Sequence, residues 1–564
     1  MRVSLATVQP ATTSRRVRTS AVIVSLAVGA AAAVILWRRV PSSEIALPHA
    51  PDRPALVTGG RVFDLPARFA EDTLLVPAAF LAELSDGAVA WDPASGTVIA
   101  TTAEAVVRMR TGELTAYINQ RPVSLSIAPV MVEDAPYVPV EPIARLLALD
   151  VSRGDTGGTV AVDRADVPFQ TAEAVERTAL RTRPTIKAPI VEALEPFDTV
   201  YVFGESNGWY LARRGSGMPG YVPKESTCLK GLTTVPKQSV EYYQAWKRTG
   251  ERICMVWEHV LGNSPVPSKI GPLPGVNVVS PTWLRLSEKS GTITCRADPA
   301  YVNWAHQRGY EVWALLDNGF DPKLTAEFLN NPAARENAAR AILLYSELYG
   351  LDGINLDFEN MDQRDARTFA QFVRELVPLC HEQGLTVSVD VTVKSPSPNW
   401  SLCYDRKALG ESADYVILMA YDEFSSASRK PGPVSSLPWT DKGIRTLLEE
   451  VPPSKVVLGI PFYSRLWREE NGGSQVTSRA LSMDDAAAFL RQAQVEPIWD
   501  ESLKLHVARF DQGGSRYSIW LEDFRSLGER VALVKRYGLR GIAAWRRGFE
   551  SVTTWATLQE LMKY

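Results

Sequence analysis

The chain has 564 residues, of which 45% are hydrophobic, and a formal net charge of −3. That length exceeds one domain and points to three or four. The composition excludes a disordered chain, and the near-neutral charge excludes the basic footprint of a nucleic-acid binder, so no nucleic acid is expected as a partner.

Taken from the N-terminus, residues 1–20 read as a cytoplasmic tail. Residues 21–37 form an uncharged run rich in Ala, Val, Ile and Leu, preceded by Arg15, Arg16 and Arg18 and followed by Arg38 and Arg39. At ~1.5 Å per residue this run reaches roughly 25 Å, the short end of the membrane-spanning range. It predicts an uncleaved, single-pass signal anchor, because the apolar run continues through Val34–Trp37 into two arginines. The slightly larger basic excess on the N-terminal side places the body of the protein outside the cell membrane. The alternative is a secretory signal cleaved near the small residues Ala31–Ala33.

Residues 38–57 carry prolines at 41, 48, 51 and 54 and read as an extended linker. A duplication fills 58–165. Val76-Pro77 recurs at Val138-Pro139, Leu84 at Leu146, and Gly96-Thr97-Val98 at Gly158-Thr159-Val160, all at one offset of 62 residues. Each unit predicts a strand, a short helix and a strand pair around a glycine turn. Residues 166–186 are polar and predict a helical linker. Residues 187–232 predict short strands at Val200–Phe203, Trp209–Ala212 and Gly220–Pro223. A segment of about 40 residues makes a marginal core and is expected to pack on a neighbour.

From 250 to 564 the chain alternates strands and helices. Eight apolar strands are predicted: Ile253–Trp257, Val276–Trp283, Glu311–Leu316, Gly353–Phe358, Thr386–Val391, Tyr415–Ala420, Val456–Ile460 and Gly541–Trp545. This pattern predicts an α/β fold, a (β/α)8 barrel, with a doubly wound sheet as the alternative on pattern alone. The long gap between the seventh and eighth strands predicts an inserted lobe that includes Pro497–Asp500 and Tyr517–Trp520. Five scattered cysteines without a Cys-x-x-Cys pair argue against a disulfide framework and structural zinc. The five histidines show no metal spacing, so neither a metal nor a cofactor is expected.

The chemistry concentrates in Leu351–Asn360, an apolar strand ending in acid. Alternation puts Asn355, Asp357 and Glu359 on one face and Leu356 and Phe358 on the other. Crowded carboxylates among apolar neighbours raise the pKa of one member, which makes it a candidate general acid near neutral pH. The structural alternatives are a solvated strand end or a weak metal site. Barrel sites form at the C-terminal ends of strands. The other strand ends supply Trp283, Met419, Tyr421, Asp422, Tyr463, Arg465 and Trp545. Arg546 and Arg547 read as solvated, and Asp390 and Glu423 have no role in this reading.

The acidic strand resembles the D-x-x-D-x-D-x-E signature of glycoside hydrolase family 18, the chitinase family. Asp352, Asp357 and Glu359 match, while Asn355 replaces the middle aspartate, as in the branch of spore-cortex and cell-wall glucosaminidases. Met419-Ala420-Tyr421-Asp422, Gly459–Arg465 and Trp545 resemble further motifs of the family, in its order. The resemblance covers about 250–564 and implies a retaining, substrate-assisted hydrolysis of β-1,4-linked N-acetylglucosamine glycans. It implies Glu359 as general acid, Asp357 on the substrate's acetamido group and Tyr421 on the acetamido carbonyl. Asp352 and Asn355 would support Asp357. Trp545 would floor the sugar site, with Met419, Tyr463 and Trp283 lining it and Asp422 and Arg465 on hydroxyls. Residues 58–165 resemble the copper amine oxidase N-terminal-like domain. No His or Cys lies in that stretch, so copper is not expected. Residues 187–232 resemble a bacterial Src-homology-3-like domain. Peptidoglycan is the first expected substrate and chitin the second, with the N-terminal domains as a spacer or cell-wall contact. The competing readings are a catalytically inactive, lectin-like glycan binder and a structural cell-surface barrel.

Overall fold

The computed structural model describes residues 40–102, 104–165, 167–234 and 252–563. The predicted tail at 1–20 and anchor at 21–37 lie outside those residues. Among the described residues, no helix is long and apolar enough to cross a membrane. The described residues fall into two units, 40–81 with 130–234, and 82–129 with 252–563.

In the first unit the duplication is visible in the backbone. Strands Thr73–Pro77 and Ala135–Pro139 each lead into a seven-residue helix, Ala78–Leu84 and Val140–Leu146. The two strands pair antiparallel, and the repeated residues Val76 and Val138 are direct partners. In the second copy the strand pair follows as Leu149–Arg153 and Thr159–Arg164.

The helical linker predicted at 166–186 is replaced by two strands, Phe169–Ala174 and Thr178–Arg181. With five strands from 190–233 they form a seven-stranded antiparallel sheet. Phe169, Ala172 and Ala174 point inward. Alanine is too small to mark a two-residue period against Gln, Thr and Glu, and it favours helix when read alone. The buried Asp163 joins this sheet to the duplicated strands. It accepts from Arg213 at 2.5 Å and from the Gly59 amide at 2.8 Å.

The second unit holds the barrel. Its strands are β1 Ile253–Glu258, β2 Val278–Pro281, β3 Glu311–Asp317, β4 Gly353–Asp357, β5 Thr386–Thr392, β6 Tyr415–Met419, β7 Val456–Pro461 and β8 Gly541–Trp545. All neighbours are parallel, and β2 pairs with both β1 and β3, which closes the ring. Strands buried on both faces read as continuous apolar runs, which is why all eight were legible. The interior is filled by Met255, Trp257, Trp313, Leu315, Tyr415, Ile417 and their neighbours. The β1–β2 crossover departs from the simple alternation, since a 3-10 turn at Pro267–Lys269 stands where an α-helix was expected. The inserted lobe after β7 is a five-stranded antiparallel sheet with the helix Met483–Ala493.

This unit also takes in 82–129, which the sequence assigned to the duplicated region. Val89–Asp92 and Thr97–Thr101 open a five-stranded meander ending at Arg121–Ser124. Ile99 and Val106 join the same buried cluster as the barrel's outer helices. Arg108 donates to Glu375 at 3.2 Å and Asn119 to Glu382 at 2.8 Å, both on the helix Ala366–Glu382.

Candidate active site

The β4 strand carries Asn355 and Asp357 into the barrel, 0% and 9% exposed. Its register with β3 sets Asp317 opposite Asp357. Its register with β5 pairs Leu356 with Val389, so the next step sets Asp357 opposite Asp390. Three carboxyls thus stand side by side at the C-terminal end of the barrel, and Glu359 follows two residues after Asp357. Arg285 balances one of them, with Nε 2.7 Å from Asp317 Oδ1.

This crowding has a direct electrostatic consequence. Burial, then the Asp317 charge, pushes the Asp357 carboxyl up to about 7. Burial, followed by Asp357, Asp422 and Asp317, raises Glu359 well above the ordinary carboxylate range. Burial and Asp357 raise Asp390 likewise, against a hydrogen bond from Asn355 that favours its charged form. A carboxyl that keeps its proton near neutral pH can serve as a general acid.

Asp357 and Trp545 line one cavity of about 300 Å³, together with Asp317, His259 and Arg296. Trp545 lies 5.8 Å from Trp257, edge to face, and 5.8 Å from His259. Tyr421 meets Trp257 at 6.3 Å. Burial and the surrounding carboxyls keep its phenol protonated far into the alkaline range. Asp422 Oδ1 accepts from Tyr463 Oη at 2.6 Å and lies 3.5 Å from Arg465 Nη2. Met419 is buried at the end of β6.

Several predicted placements are corrected. Asp352 precedes β4 at the opposite end of the barrel. Its Oδ2 accepts from the Val312 amide and meets His306 Nε2, each at 2.8 Å. Five steps of extended chain, at ~3.3 Å each, separate it from Asp357, so it cannot support that side chain. Asn355 does not bond Asp357. It donates to Asp390 at 2.7 Å and Ser388 at 3.0 Å, and accepts from Trp257 at 2.9 Å and Ser280 at 3.3 Å. Trp283 is 1% exposed and donates to Ser264 at 2.9 Å, so it is a core residue with an edge on the cavity. Arg547 is not solvated but holds Glu258 at the end of β1, Nη2 to Oε1 at 2.9 Å. Arg546 stacks over Phe549 at 4.0 Å.

Sequence reasoning missed the residues that hold the acid. Asn318 clamps the Glu359 backbone, and Tyr404 donates to the Phe358 carbonyl at 2.8 Å. Asp317 and Asn318 sit at the end of β3, where the strand-end rule could have found them. Asp390, a lone acid between valines inside β5, was also a signal, because a buried charge requires a partner.

Residues 319–550 match the glycosyl hydrolases family 18, and 56–162 match the copper amine oxidase N-terminal domain. The putative sporulation-specific glycosylase YdhD of Bacillus subtilis is 29% identical over 44% of this chain and 60% of its own length. The cortical fragment-lytic enzyme of the same organism is 28% identical over 44% of this chain and 58% of its own. The match thus spans under two thirds of either of these relatives. The crystal structure of a chitinase from Chromobacterium violaceum shares the barrel fold, at 24% identity and a TM-score of 0.50 over 56% of this chain and 99% of that one. Its C-terminal barrel, with an acid at the end of the fourth strand, thus carries a glycosyl hydrolase family 18 domain over residues 319–550.

Proposed function

We propose that the barrel cleaves β-1,4-linked N-acetylglucosamine glycans with retention, using the substrate's own acetamido group as nucleophile. The observation that carries this reading is the pair Glu359 and Asp357 at the end of β4, with Trp545 on the wall of the Asp357 cavity. Glu359 would protonate the leaving oxygen. The acetamido oxygen would then attack its own anomeric carbon. Asp357 would hold the acetamido N–H and balance the oxazolinium charge, with Tyr421 on the acetamido oxygen. Water, deprotonated by Glu359, would open the intermediate with a second inversion.

Peptidoglycan is the favoured substrate and chitin the second. The name of the cortical fragment-lytic relative supports this order. So does Arg296 on the cavity wall, which donates to the Leu261 carbonyl and has no carboxylate partner among the described residues. N-acetylmuramic acid carries a lactyl carboxylate that such a guanidinium suits, and chitin carries none. The run at 21–37 would anchor the protein in the cell membrane with the barrel outside, and the duplicated region and small sheet would act as spacer or wall contact. Presence of Glu359 argues against a lectin-like role. Zymography against purified peptidoglycan and chitin, with mass spectrometry of products from defined oligomers, tests the proposal. Cleavage of neither glycan by pure protein would leave the binding or structural reading in its place.

A further inference from the structure

Asn355 replaces a carboxylate beside Asp357, and its side chain turns to the neighbouring strand instead. Its Nδ2 donates to Asp390 Oδ1 at 2.7 Å, which fixes one oxygen of that carboxyl. The other oxygen, Asp390 Oδ2, is buried without a hydrogen-bond partner among the described residues, and so is Asp357 Oδ1. Asp390 is 1% exposed and Asp357 9%. Adjacent parallel strands place these two inward residues opposite each other, one step beyond the Leu356–Val389 pair. Two carboxyls side by side in a dry interior, each with an orphaned oxygen, cannot both be charged. One proton between them satisfies both orphans at once.

We propose that Asp390 is a positioning residue that shares one proton with Asp357, doing from β5 what a carboxylate at position 355 would do from β4. At rest the proton bonds one of the two carboxyls and donates to the other. When an acetamido N–H approaches Asp357, the O–H bond on Asp357 breaks and one forms on Asp390 Oδ2. Asp357 is then anionic and the pair's proton count is unchanged. Asn355 keeps Asp390 in place for this, since its own two acceptor contacts, from Trp257 and Ser280, fix the direction of its carboxamide.

The surroundings agree with a single shared proton. The titratable groups facing the pair are Glu359 beyond the end of β4, Asp317 on β3 with its partner Arg285, Tyr421 after β6 and Tyr404 after β5. The nearest acids are all like charges, and the cation Arg285 is engaged with Asp317. Burial raises both carboxyls, with the Asp317 charge adding to it at Asp357 and the Asp357 charge at Asp390, and such interacting carboxyls titrate in two steps that belong to the pair.

The catalytic part of this inference rests on the proposed hydrolysis, so its test has an arm that needs no substrate. Carbon-13 NMR of aspartate carboxyls in the full-length protein should show one group titrating near or above neutral pH. Asp390→Asn should bring it down toward the ordinary range, and Asp390→Asn/Asn355→Asp should raise it again. Lack of such a group in the parent protein, or its survival in Asp390→Asn, overturns the shared proton whether or not any glycan is cleaved. On glycan oligomers, Asp390→Asn should lower kcat about tenfold or more and move the pH–rate limbs to lower pH. The double variant should recover most of kcat and the original limbs. A fall in kcat with unmoved limbs and no recovery in the double variant would mean a purely structural Asp390 and overturn the proposal.

Discussion

Asn318 grips the backbone of Glu359 with both ends of its carboxamide. Its Nδ2 donates to the Glu359 carbonyl at 2.7 Å, and its Oδ1 accepts from the Glu359 amide at 3.1 Å. Asn318 is itself fully buried and donates to Thr325 Oγ1 at 2.9 Å. The proposed general acid is thus held from β3, not only from its own strand. Asn318→Ala removes both bonds, at ~1 kcal/mol each. The expected result is a roughly tenfold loss in kcat with KM little changed, since the proton donor is misplaced while the sugar wall stays intact. Steady-state kinetics beside thermal melts check this, and a loss confined to KM would contradict it.

Glu359→Gln keeps the shape and removes the proton. Turnover should fall by ~10² to 10⁴-fold, while affinity for N-acetylglucosamine oligomers stays close to that of the parent. Fully deacetylated oligomers should be inert to the parent enzyme, because they lack the nucleophile. Proton NMR of early products should show the β anomer first.

The raised carboxyls make stability fall with pH. Folded Asp357 keeps its proton up to about 7, whereas an unfolded aspartate loses it near ~4. Between those values the folded state binds more protons, so stability declines as pH rises through that window. Asp357→Asn removes this carboxyl's share of the effect. The variant should be more stable than the parent at pH ~8 and little changed at pH ~3. Urea denaturation at the two pH values measures the difference. An equal gain at both would assign it to packing.

Glu375 is the hub between the meander and the barrel. It accepts from Arg335 at 2.8 Å, Arg108 at 3.2 Å and Gln371 at 3.0 Å, and it is 1% exposed. Removing one partner of a buried ion pair leaves uncompensated charge and costs ~3–5 kcal/mol. Glu375→Leu should therefore destabilise this unit by about that much, while Glu375→Leu with Arg108→Met and Arg335→Met should recover most of it. Denaturation midpoints of the three proteins decide the point.

The sequence disclosed what is carried by local pattern. Eight buried parallel strands are apolar runs, and the duplication at an offset of 62 residues returns as Val76 paired with Val138. Glu359, Asp357, Trp545 and Tyr421 were legible because strand ends and motifs mark them. What depends on neighbours distant in sequence was not. Asn318 and Asp390 act on β4 from the flanking strands, and neither is part of a local motif. Asn355 was expected on Asp357 because the two share one face of β4, yet its carboxamide is taken up by Ser388 and Asp390 on the adjacent strand. Ile99 and Val106 read as ordinary strand residues, and nothing local shows that their partners are barrel helices.

The meander gives the chain an unusual response to being cut. Residues 82–129 fold with the barrel although the segments on either side of them, 40–81 and 130–234, fold together in the other unit. The polypeptide consequently passes from one unit to the other three times. A protease that nicks the chain between 234 and 252 severs only one of those passages. The larger fragment keeps the catalytic strands, and the smaller one keeps the meander that covers Glu375. Under native conditions the two fragments should stay together through gel filtration and separate only in denaturant, so a processed form of this protein would retain its whole architecture with two chains in place of one.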